Sequence, residues 1–117
     1  MDTRAVELLR CASDLIRRGW TQHAESRDAA GAAVDPWQPS AICWSLLGAL
    51  VAALEEQTDS GDDLPLQELA DALDALALFV DSDSLADWND DPARTQDDVL
   101  RVLNAAADAA VPRRLDA

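Results

Sequence analysis

The segment from Ser40 to about Glu56 constrains this chain most, because it offers almost no polar face. Ala41, Ile42, Cys43, Trp44, Leu46, Leu47, Ala49, Leu50, Val51, Ala53 and Leu54 go nearly all the way round a helical projection. A helix apolar on every side has to be buried at the centre of its domain, so the other elements must each offer it an apolar stripe. Ser40, following Pro39, is the expected N-cap. Gly48 in the helix interior costs about 1 kcal/mol against Ala, and close packing of a neighbouring helix is the reason expected for it. The apolar stretch is interrupted by Ser45 and is too short to span a bilayer.

Three further segments carry the required stripes. From Arg4 to Arg18, Ala5, Leu8, Leu9, Ala12, Leu15 and Ile16 recur at helical spacing, and Arg17, Arg18 and Gly19 form a C-terminal signal. A third helix is expected to open at Pro65, with Leu66, Leu69, Ala70, Leu73, Leu76, Ala77 and Val80 on one face. The last is capped by Thr95, carries Asp97 and Asp98 in its first turn, and turns Val99, Leu100, Leu103, Ala106, Ala107 and Ala110 inward. Pro112 ends it, leaving a loose tail from about residue 112. Between these lie two irregular connections, Trp20 to Pro39 and Asp81 to Arg94, the first with an extended stretch near Ala32 to Val34. Long connections in compact domains are usually functional or disordered. The expectation is a single all-α domain over 1–117, a compact four-helix architecture with two long irregular connections.

The 23 acidic residues against 9 arginines and no lysine give a net charge of −14. The arginine-only, alanine-rich bias is what a GC-rich genome produces. Such a surface repels phosphate backbones, so direct nucleic-acid binding is not expected, and a partner protein of basic character is. Two cysteines are too few for a disulfide scaffold. The chain opens directly into an amphipathic pattern without an apolar signal core, so a cytoplasmic protein without a membrane segment is expected. His23 is the lone histidine, and Cys11 and Cys43 lie far from any zinc-binding spacing. The aspartates at 59, 62 and 63, and at 81, 83, 87, 90 and 91, do not have the spacing of a calcium loop. Neither a metal nor a cofactor is expected.

Several residues have types that can carry chemistry. Cys43 and Ser45 fall in the first turns of the expected central helix, where the helix dipole can lower a thiol pKa, and the long loop can bring His23 near. Spacing of two puts Cys43 and Ser45 on different sides of a helix, so an inert Cys and a helix-bonded Ser are the simpler assignment. Asp83-Ser84-Leu85 is similar to the core triplet of acyl-carrier proteins, but the residues Ala86 to Pro92 are not expected to make the helix that triplet opens. The most informative set is the tryptophans: Trp20, Trp37, Trp44 and Trp88 are four of the five aromatics, and three stand in or beside the irregular segments. An indole N–H needs a partner, and loops offer carbonyls. One reading is an aromatic cluster pinning both loops to one end of the central helix. The other is a binding surface there, formed by Trp20, Gln22, Trp44, Trp88, Asn89, Asp90 and Arg94.

On Gly19-Trp20-Thr21-Gln22, Gly48-Ala49-Leu50, and Leu85-Ala86-Asp87-Trp88-Asn89-Asp90 followed by Arg94-Thr95 and Val99-Leu100, the chain resembles a family of uncharacterised small proteins of high-GC Gram-positive bacteria and their phages. In similar proteins a Cys tends to stand three residues before the Gly-Ala pair, where this chain has Ser45. The resemblance implies a shared site but no transferable activity. Asn89 and Asp90 suit Asx turns, Arg94 can pair with Asp90 or Asp91, and Thr95 starts a helix, so each motif residue has a structural job available.

The expected function is therefore that of a non-enzymatic binding or regulatory protein acting where the two loops meet the central helix. One alternative is a small metabolic or biosynthetic-cluster enzyme with a pocket in the same place, Asp90 serving as acid/base and Arg94 binding an anion. Another is an acidic inhibitor that mimics DNA. The Ala-rich last helix also suits pairing with a second copy of the chain.

Overall fold

In the computed structural model, which describes residues 4–57, 66–82 and 84–110, helix α1 (Arg4–Arg18) lies at the centre. It takes the place expected of the all-round apolar helix α2 (Leu46–Gln57), packing against α2 itself, α3 (Leu66–Ala77), α5 (Gln96–Ala110) and the second strand of a small sheet. Ala5, Leu8, Leu9, Ala12, Leu15 and Ile16 are all buried, as their spacing requires, while Glu7, Arg10, Asp14, Arg17 and Arg18 face out. Three polar contacts join α1 to α5: an exposed ion pair sets Arg10 against Asp108 Oδ1 at 3.3 Å, the buried Ser13 donates to Asn104 Oδ1 at 3.2 Å, and Gln96 Nε2 donates to the Ile16 carbonyl at 2.7 Å. The Gln96 bond meets one of the carbonyls that every helix end leaves without an intrahelical donor.

The chain is thus mostly helical, with five helices among the described residues and one two-stranded sheet, and the four-helix expectation needs three corrections. First, α2 begins at Leu46, not after Ser40. Cys43–Trp44 (β2) is extended and pairs antiparallel with Ser26–Arg27 (β1), in the register Ser26↔Trp44 and Arg27↔Cys43. A short apolar run does not by itself separate helix from strand, and Ser45 supplies the cap assigned to Ser40: its Oγ accepts from the Gly48 N–H at 3.0 Å. The expected extended stretch near Ala32 to Val34 is a single bridge, Ala33 to Arg27.

Second, the connection after residue 81 contains a five-residue helix, α4 (Leu85–Asn89). Ser84 caps it, its Oγ accepting from Asp87 N at 3.2 Å, so the serine of the acyl-carrier-like triplet serves as a helix cap. Third, α3 stops at Ala77 and buries Ala72, Ala75 and Leu76 with the following Val80, leaving Ala70, Leu73 and Ala77 on its exposed side. Pro65, the acidic residues 59, 62 and 63, Asp83, and the tail with Pro112 lie outside the described residues. Among the described residues no helix is long and apolar enough to cross a membrane.

Both interior glycines owe their identity to backbone approach. Gly19 follows α1 without entering the left-handed region; instead a Cβ there would overlap the Ile42 carbonyl of the neighbouring extended segment. At Gly48 a Cβ would overlap the Glu25 carbonyl. The close neighbour expected for Gly48 is therefore a loop backbone, not a helix.

The start of α5 forms a reciprocal cap. Thr95 Oγ1 accepts from Asp98 N at 3.2 Å, and Asp98 Oδ2 accepts from Thr95 N at 3.0 Å. The Thr95 backbone bond is the main reason that the Asp98 carboxyl is held below the ordinary carboxylate range. A depressed folded-state pKa stabilises fully above the unfolded value of about 3.9 and is lost as pH falls through the folded value. Thr95→Ala is expected to lower stability by about 1 kcal/mol in urea titrations at pH 7. Asp98→Asn is expected to flatten the fall of stability as pH drops below about 4; an unchanged acid limb would remove Asp98 from this role.

Candidate functional site

The two loops meet at Asn89, the last residue of α4 and completely buried. A primary amide has two acceptor lone pairs and two donor hydrogens, and Asn89 uses all four. Its Oδ1 accepts from the Trp20 indole N–H at 2.8 Å and from the Leu46 backbone N–H at 3.1 Å. Its Nδ2 donates to the Thr21 carbonyl and to Asp90 Oδ1, both at 3.1 Å. The Leu46 N–H belongs to the first turn of α2, whose amides have no intrahelical partner. One side chain therefore caps α2, anchors the first loop and orients its own neighbour.

The first loop reciprocates. Gln22 Nε2 donates to the Asn89 carbonyl at 2.9 Å and to the Asp91 carbonyl at 2.8 Å. His23 N donates to Asp90 Oδ1 at 2.8 Å, and His23 Nδ1 stands 3.7 Å from Asp90 Oδ2. His23 has a φ of 65°, a left-handed conformation that few non-glycine residues adopt. Trp20 forms a parallel bridge with Trp44, which brings the loop onto β2, and the Trp44 indole donates to the Pro36 carbonyl at 3.0 Å. Arg27 holds the loop shut, bonding Thr21 Oγ1 through Nε and the Gln22 and Gly31 carbonyls through its terminal nitrogens.

Of the sequence-selected set, Trp20, Gln22, Asn89 and Asp90 form one hydrogen-bonded network, with Trp44 against Trp20. Trp44 and Trp88 are buried, whereas Trp20, Gln22, Asp90 and Arg94 are half-buried. Arg94 turns the other way: its guanidinium lies 3.8 Å from the centre of the Trp88 ring and its Nε donates to the Trp88 carbonyl at 2.9 Å. Its carboxylate neighbour is Asp91 at 3.9 Å rather than Asp90. Among the described residues, no hydrogen bond or ion pair joins His23 to Cys43 or Ser45. Ser45 is occupied as the α2 cap, and Cys43, in β2 rather than a helix, lies 3.8 Å from the Arg27 carbonyl. No three His, Cys, Asp or Glu side chains gather as metal ligands among the described residues.

Sequence reasoning missed Arg27. The signal was present, because Arg27 is the only arginine between Arg18 and Arg94 in a strongly acidic chain. It also missed Cys11, whose Sγ donates to Glu56 Oε2 at 2.9 Å. Burial, and then the Glu56 carboxylate, push the Cys11 thiol up to about 12. Thiolate is the reactive form, so Cys11 is expected to alkylate far more slowly with iodoacetamide at pH 8 than in the unfolded chain, as mass spectrometry reads it. Equal rates would show that the Glu56 contact does not persist in solution.

Two grooves border the junction. A polar one of about 460 Å³ is lined by His23, Glu25, Asp35 and Gln38. A larger one of about 600 Å³ lies beyond Trp88 and Arg94, walled by Leu78, Phe79 and Val102. No curated protein and no solved structure matches the chain. Residues 1–109, which include every member of the junction, match the model described as a family of unknown function (DUF6197), and the chain belongs to that family.

Proposed function

We propose that this is a non-enzymatic binding or regulatory protein, acting in the cytoplasm of a high-GC Gram-positive bacterium or its phage, with the face over the loop junction as its contact surface. The observation that carries this reading is the commitment of the junction's polar groups to one another. Asn89 has no unused donor or acceptor, Ser45 is a cap, and Gln22 holds two carbonyls. Catalysis needs a nucleophile or proton carrier left available to substrate, whereas a rigid, internally satisfied scaffold suits presentation of a surface. The exposed Glu25 and Asp35 on the polar groove fit a basic protein partner, attracted electrostatically and released by salt.

The test is retention of a partner from host lysate on wild type and on a Glu25→Lys, Asp35→Lys variant, whose substitutions point into solvent. A protein held by wild type at low salt, eluted by high salt and lost by the variant supports the reading. Equal retention by both would refute it.

The second reading, a small enzyme, rests on the approach of His23 Nδ1 to Asp90 Oδ2 at the groove edge. Against it, Asp90 Oδ1 already accepts from His23 N and Asn89 Nδ2, and Arg94 lines the other groove.

A further inference from the structure

The larger groove has a construction that the loop junction does not explain. Leu78 and Phe79, just beyond α3, are 72% and 42% exposed and stand next to each other in the wall of one groove. They face Val102 and Ala105 of α5, and the volume of about 600 Å³ is within the range of small-molecule sites. Two of the chain's nine arginines, Arg94 and Arg101, line the same groove.

The arginine geometry indicates the ligand's charge. Stacking on Trp88 and the Nε bond to the Trp88 carbonyl fix the Arg94 plane in advance. Among the described residues its terminal nitrogens make no hydrogen bond, and their ion-pair partner, Asp91 Oδ2, stands off at 3.9 Å. Asp98, between the two arginines, is already engaged on both oxygens, Oδ2 by Thr95 N and Oδ1 by Arg101 at 3.3 Å. Asp81 is the other acidic residue lining the groove, and it is exposed. A planar guanidinium with unfilled donors matches a carboxylate in bidentate geometry, and the apolar walls match a hydrocarbon or aromatic body.

We infer that the groove between the end of α3 and α5 binds a free small carboxylic acid with an apolar body, its carboxylate on Arg94 and Arg101 and its body between Phe79 and Val102. This site is separate from the acidic contact face proposed above, and neither depends on the other.

The experiment uses the whole protein, ¹⁵N-labelled, in about 0.15 M salt, titrated with octanoate, octyltrimethylammonium and 1-octanol. These share one chain length and differ in headgroup charge. Octanoate is expected to give saturable shifts at Leu78, Phe79, Arg101, Val102 and the Trp88 indole. It is expected to bind at least fivefold more tightly than the ammonium probe, even though a net charge of −14 favours the cation. Arg101→Gln, at an exposed position, is expected to weaken octanoate about fivefold and leave octanol unchanged. Phe79→Ser is expected to weaken both, by roughly threefold to tenfold. Shifts scattered away from the groove, or equal or tighter binding of the ammonium probe, would overturn the assignment. So would groove resonances that broaden with protein concentration and ignore octanoate, an outcome that would identify the face as a contact between two copies.

Discussion

Asn89→Ala is expected to lower the unfolding free energy by about 3–5 kcal/mol, the largest effect of any single substitution in the junction. Truncation removes four hydrogen bonds and strands the Trp20 indole N–H, the Leu46 N–H and the Thr21 carbonyl beside a side chain that is completely buried. Each buried group left without a partner costs about 1–3 kcal/mol, partly recovered if water enters. Asn89→Asp separates the two halves of the amide. It keeps the acceptor for Trp20 and Leu46, loses the donors to Thr21 and Asp90, and sets a carboxylate against Asp90 Oδ1 at about the present 3.1 Å. That variant is expected to be less stable at pH 7 than at pH 5, because protonation relieves the like-charge contact. Urea unfolding followed by tryptophan fluorescence reads both, and a loss below about 1 kcal/mol for Asn89→Ala would show that the amide network contributes little.

The second large effect is expected at Gly48, with a sign opposite to helix propensity. In an exposed helix Gly→Ala gains about 1 kcal/mol. Here the new Cβ would overlap the Glu25 carbonyl oxygen and come within 2.7 Å of its carbon, both backbone atoms that no rotamer change can move. The same carbonyl accepts from Ser45 N at 3.0 Å, immediately before α2, so shifting it breaks the junction between loop and helix. Gly48→Ala is expected to destabilise by about 2–3 kcal/mol in the same urea experiment. It should also move the amide resonances of residues 24–27, and a stabilised variant would mean that the loop gives way freely.

How far the fold could be read from the sequence depended on the range of the interactions. The first helix was legible because its stripe and C-terminal arginines are local signals, and its whole predicted face is buried. The cap of the last helix was equally local: Thr95 and Asp98 lie three residues apart. Cys43–Trp44 was not legible as a strand, because what makes it extended is pairing with Ser26–Arg27, about sixteen residues away. Helix α4 was hidden by length, since five residues carry too little period to register against Asp, Asn and Pro neighbours.

The site was legible as a set of residues and only partly as a geometry. Composition singled out the tryptophans, and Trp20 and Asn89 do meet across the two connections. That an asparagine amide would cap a helix 43 residues away is not a local signal. Nor did the spacing of Arg94 from Asp90 and Asp91 reveal that its main partner is the Trp88 ring.

The central claim is that the motif residues form one rigid, internally satisfied framework that holds both loops on α2, leaving function to the surfaces that the framework presents. Hydrogen exchange followed by NMR on the unmodified protein tests it most directly, through the Trp20 indole N–H and the Leu46 and His23 amides. The account predicts that all three exchange together, at a rate close to that of the buried amides of α1, because releasing any one requires the junction to open as a unit. Fast exchange of the indole and of His23, with α1 still protected, would contradict it and show the loops detaching from a folded helical core.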